Sequence, residues 1–370
     1  MHRRSAVILL CAAACNAPDA SEETAAPEVK AAPPAALAPK AACAPARTFV
    51  GAGWPEADAL FHTEPRWLGA DAAYSVPLGG DRILWLFGDS FIAKTSARRR
   101  AESTFIRNSI AIQTGTDPTR STISFHWREG TAGASSFFAE RGGRWFWPLH
   151  GARVGPALVL FLNELERSDG GLGFASVGTA LARIANPDDV PDRWSIAIEP
   201  LPADGREHGV SVVAEGGFLY GMTTRKTVFF DVELERWPVA SIGGAGALWN
   251  GKQFAGAKGG APIWTGGAPE FSTAARCGEW VTVESNGFGA TDLAVRRARA
   301  LTGPWSAPAK VFHPPESDRP KPFVYAGKVH SALTGAALVA TYAANSFDFA
   351  EVIRDDTLYW PRFVRIDERR

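Results

Sequence analysis

The chain is poor in several things that would point to common classes of function. It carries no excess charge: 39 basic and 39 acidic side chains cancel, so it lacks the electrostatic footprint of a nucleic-acid binder. Cysteine is scarce, at four residues. Two of them, Cys11 and Cys15, fall in the first fifteen positions, which leaves Cys43 and Cys277 as a possible pair in an oxidising compartment. There is no H-E-x-x-H, no paired C-x-x-C and no EF-hand loop, so no metal motif stands out, although a structural calcium stays compatible with the sequence. G-x-S-x-G is missing as well, which argues against a serine-hydrolase elbow. Gly243-Gly244-Ala245-Gly246 is glycine-rich, yet no helix follows it to cradle a phosphate. Helix-period segments of useful length are absent after the first residues.

What is abundant is turn and ring chemistry: 37 Gly, 26 Pro and 13 Trp. Short strands between Gly/Pro turns indicate an all-β sandwich, barrel or propeller. The N-terminus reads as an export signal, with His2-Arg3-Arg4 before the apolar run Ser5 to Ala14. That run is shorter than the about 20 residues a membrane-spanning helix needs. Ala12-Ala13-Ala14-Cys15 resembles a bacterial lipobox with Ala12 in place of the usual Leu, which makes Cys15 the expected lipidation site; a plain secretory cleavage is the alternative. Residues 16–46 are rich in Ala, Pro and Glu and cannot bury a core, so they read as an extended tether. The folded domain is expected over 47–370, exported and anchored to the membrane only through a lipid.

A loose repeat organises that domain. Units run to Trp127, Trp194, Trp237 and Trp305, and a last unit would close the ring, with boundaries near 66–130, 136–200, 208–242, 246–312 and 323–367. This spacing predicts a five-bladed β-propeller, in which polar residues at the starts of the innermost strands converge on one mouth. The first unit opens on a hairpin around Gly79-Gly80-Asp81. With a register symmetric about Gly80, Leu78 faces Arg82 and Asp71 faces Asp89. Two carboxylates that close raise one another's pKa.

The stretches D-R-I-L-W-L-F-G-D-S-F, F-I-R-N-S-I-A-I, W-F-W-P-L-H-G, A-P-E-F-S-T-A-A-R, Y-A-G-K-V-H-S-A-L and V-A-T-Y-A-A-N resemble a secreted bacterial domain-of-unknown-function family. That family is allied to the five-bladed furanosidase-type glycoside hydrolases, and some members are endo-D-arabinofuranosidases. The T-D-L-G usual at its first Asp is here Ala70-Asp71-Ala72-Ala73. The resemblance implies a propeller whose central pocket binds and cleaves a furanoside-type, arabinan-like polysaccharide.

Glycoside hydrolysis needs an acid and a base or nucleophile flanking the scissile bond. Asp89 is expected as nucleophile or base and Asp71 as its acid partner, with Glu270 as the substitute, since related furanosidases take their acid Glu from a later blade. For substrate binding the candidates are His150, His330, Arg107, Asn108, Trp147 and Trp264, the two tryptophans as stacking platforms. Glu207 and His208, at another unit's start, are given no role. The rival expectation is a non-catalytic, lectin-like or interaction propeller using the same pocket.

Overall fold

The computed structural model describes residues 48–287, 289–333 and 337–369. The signal, Cys15, the tether and Cys43 lie outside the described residues. Cys277 is disulfide-bonded.

Five antiparallel sheets of four or more strands follow one another along the chain. The first holds Tyr74–Gly79, Arg82–Phe87, Ser109–Thr114 and Thr122–His126; the second Trp145–Val154, Ala157–Arg167, Phe174–Ile184 and Ile196–Pro200. The third begins with Arg206–Glu215, Phe218–Lys226 and Phe230–Pro238. The fourth is Phe271–Arg276, Glu279–Asn286, Asp292–Ala298 and Ala309–Phe312. The fifth combines Pro322–Val329, Leu338–Ser346 and Pro361–Arg369 with Thr48–Gly53 from the start of the domain. That last pairing joins the two ends of the fold, Thr48 opposite Arg369.

One expected boundary fails. A fourth unit over 246–312 places residues 247–267 with the fourth sheet, but the strands Ala247–Trp249 and Pro262–Gly267 pair with Phe230–Pro238 of the third. The cause is local: the Glu235 carboxylate accepts the Gly246 backbone N–H at 2.8 Å, and Trp264 pairs with Val232. The chain therefore folds back onto the third sheet before starting the fourth.

The leading strands of successive sheets lie against one another: Tyr74–Gly79 on Trp145–Val154, that strand on Arg206–Glu215, then Phe271–Arg276 and Pro322–Val329. Two buried histidines staple them. His150 Nδ1 accepts the Val212 N–H at 2.8 Å, which leaves Nε2 to donate to the Ser75 carbonyl at 3.1 Å. His330 sits 2.8 Å from Ser75 Oγ through Nδ1 and 2.8 Å from Thr341 Oγ1 through Nε2. Burial lowers the His150 pKa to about 4 and His330 well below its ordinary value. Both stay neutral, as a ring fixed by a backbone donor or by hydroxyls must in a dry interior.

Apolar alternation in the strands fills the space between sheets. Phe61, Trp67, Trp85, Phe87 and Phe363 interlock there, with Phe61 stacked on Phe363 at 5.1 Å and edge-on to Trp85 at 5.0 Å. This cluster fastens the first sheet to the fifth. Removing one such ring costs about 3–5 kcal/mol.

Candidate active site

The opening hairpin keeps the expected register at its base. Tyr74 pairs with Leu86 and Ser75 with Trp85, and beyond the gap Ala70 pairs with Ser90. Asp71 and Asp89 therefore stand between pairs of one common register. At the tip the pairing shifts, so that Gly79 rather than Leu78 opposes Arg82. Asp71 is not itself in the strand: Ala72 and Ala73 adopt left-handed backbone, φ 65° and 56°, and lift the segment out of the ladder. The Asp71 carbonyl accepts from Ala73 N at 2.9 Å and Gly88 N at 3.3 Å. A Cβ at position 88 would stand 2.3 Å from Asp71 Oδ1, so any side chain there displaces that carboxylate.

Two phenols converge on the other oxygen. Asp71 Oδ2 accepts from Tyr325 at 2.6 Å and from Tyr359 at 3.1 Å. Burial, seconded by the charge of Asp89, pushes Asp71 up to about 7 against the pull of these donors. Asp89 has both oxygens engaged, Oδ1 by Trp147 Nε1 at 2.9 Å and Oδ2 by Arg107 at 3.4 Å. Burial raises it to about 6, and Arg107 opposes the rise. The Arg107 guanidinium in turn lies 4.5 Å from the Trp145 ring centre.

Glu270, just before the leading strand of the fourth sheet, accepts from Lys328 Nζ at 2.6 Å. Lys328 is fully buried, 4.2 Å from the centre of the Tyr74 ring, and burial lowers its pKa while Glu270 supports the cation. Glu207, on the leading strand of the third sheet, is the residue that sequence reasoning passed over. Its partners are neutral and distant, Asn163 Nδ2 at 3.4 Å and Thr224 Oγ1 at 3.5 Å. Among the described residues no cation lies within ion-pair distance of it. Burial and the charge of Glu270 push it up to about 7. Its neighbours Arg206 and His208 engage Glu233 and Glu235 instead.

Contacts and charge link these groups: Asp71 feels the charges of Asp89 and Glu270, Glu207 feels that of Glu270, and Trp147, Arg107, Lys328, Tyr325 and Tyr359 hold the carboxyl groups. The remaining candidates have their polar groups engaged by protein or lie in the core, although His150 stacks on Tyr74 at 5.7 Å and both histidines feel the charge of Lys328. His150 and His330 are the staples described above, with every ring nitrogen taken by protein. Asn108 is wholly buried, donating to the Phe138 and Phe146 carbonyls and accepting from Phe138 N. Trp264 is core, packed on Phe271 at 5.3 Å and Trp305 at 5.0 Å. Among the described residues no group of three or more His, Cys, Asp or Glu side chains is placed to hold a metal ion. A signal for Glu207 did exist: like Glu270, it is an acidic residue at the start of a leading strand.

The protein is all-β, with four buried or half-buried acidic side chains linked by charge. Residues 56–368 match the family described as "Domain of unknown function (DUF5005)", and the chain belongs to that family. No curated protein matches the chain. A crystal structure of a candidate hydrolase from Bacteroides ovatus is similar over 86% of this chain and 90% of that one, with a TM-score of 0.68 at 18% identity. That likeness is one of fold. More remote are an α-L-arabinofuranosidase from Podospora anserina in complex with cellotriose (TM-score 0.48, 9% identity, 83% of this chain and 93% of that one) and an exo-β-1,3-galactanase from Phanerochaete chrysosporium with β-1,3-galactotriose (TM-score 0.48, 12% identity, 80% and 60%).

Proposed function

We propose that the protein is an exported glycoside hydrolase acting on a furanoside-type polysaccharide, its five large sheets forming the blades of a propeller around the carboxylate mouth. The observation that carries this reading is the unequal treatment of four neighbouring carboxyl groups. Three have strong or charged donors: two phenols for Asp71, Trp147 and Arg107 for Asp89, a lysine for Glu270. Glu207 has only long contacts to an amide and a hydroxyl. Hydrogen-bond partners rather than pKa values separate Asp71 from Glu207, since both are raised to about 7.

In this reading Glu207, protonated near neutrality, is the general acid that delivers a proton to the leaving oxygen. Asp71 is the base or nucleophile: Oδ2 is held by the tyrosines, while Oδ1 lies against Gly88 with no hydrogen-bond partner among the described residues. Asp89 with Arg107, and Glu270 with Lys328, are ion pairs that orient sugar hydroxyls. The acid role moves from Asp71 to Glu207 because Asp71 Oδ2 already accepts from two phenols, whereas Glu207 has only long contacts to neutral groups. The likeness in fold to a candidate hydrolase supports it.

The test is release of reducing sugar from a panel of arabinan, fructan and other furanosidic polysaccharides by wild type and Asp71→Asn. Cleavage by wild type alone supports the proposal. Silence from both with glycan still bound identifies a lectin-like protein instead.

A further inference from the structure

The two tyrosines that hold Asp71 are each the inner end of an aromatic column that reaches the surface. Tyr325 stacks on Phe323 with ring centres 4.5 Å apart and planes 22° from parallel, and Phe323 stacks on Phe347 at 4.5 Å and 14°. Tyr359 meets Phe91 edge-on at 5.4 Å, and Phe91 stacks on Phe349 at 6.0 Å and 25°. Phe105 closes this second column, 5.5 Å from Phe349. Both columns end in one turn, Phe347-Asp348-Phe349, whose rings are 47% and 51% exposed.

The turn is built rather than loose. Asp348 caps the short helix Phe349–Arg354 through Oδ1 and Ala350 N at 3.1 Å, and Ser346 Oγ donates to Glu351 at 2.7 Å. Arg319 holds the same helix through Glu351 at 3.0 Å and through Asp355. Two large apolar residues in one turn, each about half exposed, mark a contact surface.

Its position says what it contacts. The fifth sheet pairs Pro322 with Ser346 and Tyr325 with Ala343, so the turn stands directly beyond the strand ends that carry Tyr325 to Asp71. The two ring columns therefore connect this turn to the groups that hold Asp71. The turn offers flat apolar faces flanked by polar groups, Lys321 on Asp348 at 3.4 Å and Asn345 on Tyr325 at 3.2 Å. Flat apolar faces with polar edges suit the face of a sugar ring and its hydroxyls.

We infer that Phe347 and Phe349 form a platform for a further sugar of the same glycan, so that the substrate is a chain of several sugars rather than one terminal residue. The inference rests on the hydrolase reading above for the identity of the occupant. Its test compares wild type with Phe347→Ala/Phe349→Ala on a furanosidic polysaccharide and on a single-sugar aryl furanoside. Mobility in gels containing the polysaccharide measures binding independently of turnover.

The platform predicts about a tenfold loss of kcat/KM on the polymer, carried by KM, with the aryl furanoside unaffected. Gel retardation is lost with it, and Phe347→Trp/Phe349→Trp restores both. Equal losses on the two substrates overturn the platform and make the turn a support for Asp71. Unchanged retardation and turnover overturn it in favour of a surface for another partner. Retardation that depends on the two rings, with no hydrolysis of either substrate, upholds the platform and removes the hydrolase reading.

Discussion

Tyr325 donates its phenol proton to Asp71 Oδ2 across 2.6 Å, from a position 254 residues further along the chain. The bond ties the fifth sheet to the start of the first and favours the ionised carboxylate. Removing it by Tyr325→Phe keeps the stacked ring, and so the fold, but leaves burial and Asp89 less opposed. The Asp71 pKa then rises above its value of about 7. The expected outcome is a kcat/KM profile whose acidic limb moves to higher pH, with activity at about pH 6 falling more than at about pH 8. An unmoved limb would remove Asp71 from the role of base.

Three raised carboxyl groups give the fold itself a pH dependence. Asp71 and Glu207 are pushed up to about 7 and Asp89 to about 6, all above their ordinary values. A raised carboxyl pKa means that the native state holds protons the unfolded chain has already released. That contribution is full below the unfolded pKa and is lost as pH rises through the folded one. Melting temperature should therefore fall between about pH 4 and about pH 8. Asp71→Asn and Glu207→Gln should each raise it at the alkaline end and leave it nearly unchanged at the acidic end. Thermal melts across this range check both.

Gly88→Ala tests the geometry around Asp71 with a single methyl group. Its Cβ would stand 2.3 Å from Asp71 Oδ1, so the carboxylate must turn away from the tyrosines or from the substrate. Loss of activity by about 10²-fold with native circular dichroism is expected. Retained activity would show that Asp71 Oδ1 is not the oxygen that acts.

Product stereochemistry separates the two ways of pairing the carboxyl groups. Asp71 and Asp89 are neighbours in one register, and a side-by-side pair about 5–5.5 Å apart suits retention. Glu207 belongs to the third sheet, with the second sheet between it and Asp71, and acid and base across a mouth suit inversion. Inversion, read by NMR of the first-formed product, is expected; retention would return the roles to Asp71 and Asp89.

The neighbourhood of Asp71 and Asp89 was legible in the sequence because a Gly-Gly turn and symmetric strands set a register that local rules can extend. The shift at Gly79 was not, since it depends on how the turn closes. The sheet limits were less legible after Trp237, where Glu235 and Val232 recruit strands that composition alone assigns to the next unit. Glu207 was hidden for another reason. Its distinction is the lack of any short hydrogen bond, and that shows only once Lys328, Arg107 and the two tyrosines are seen to serve the other carboxylates. His150 and His330 read as substrate-binding residues in a sequence because nothing there reveals Ser75, Val212 and Thr341 already occupying their nitrogens.

The most direct measurement is the leaving-group dependence of Glu207→Gln. A general acid is indispensable for a sugar leaving group and dispensable for a phenolate that departs unaided. The account predicts that Glu207→Gln loses about 10²–10⁴-fold on a furanosidic polysaccharide and little on an activated aryl furanoside. Equal loss on both, or full activity on the polysaccharide, would contradict it.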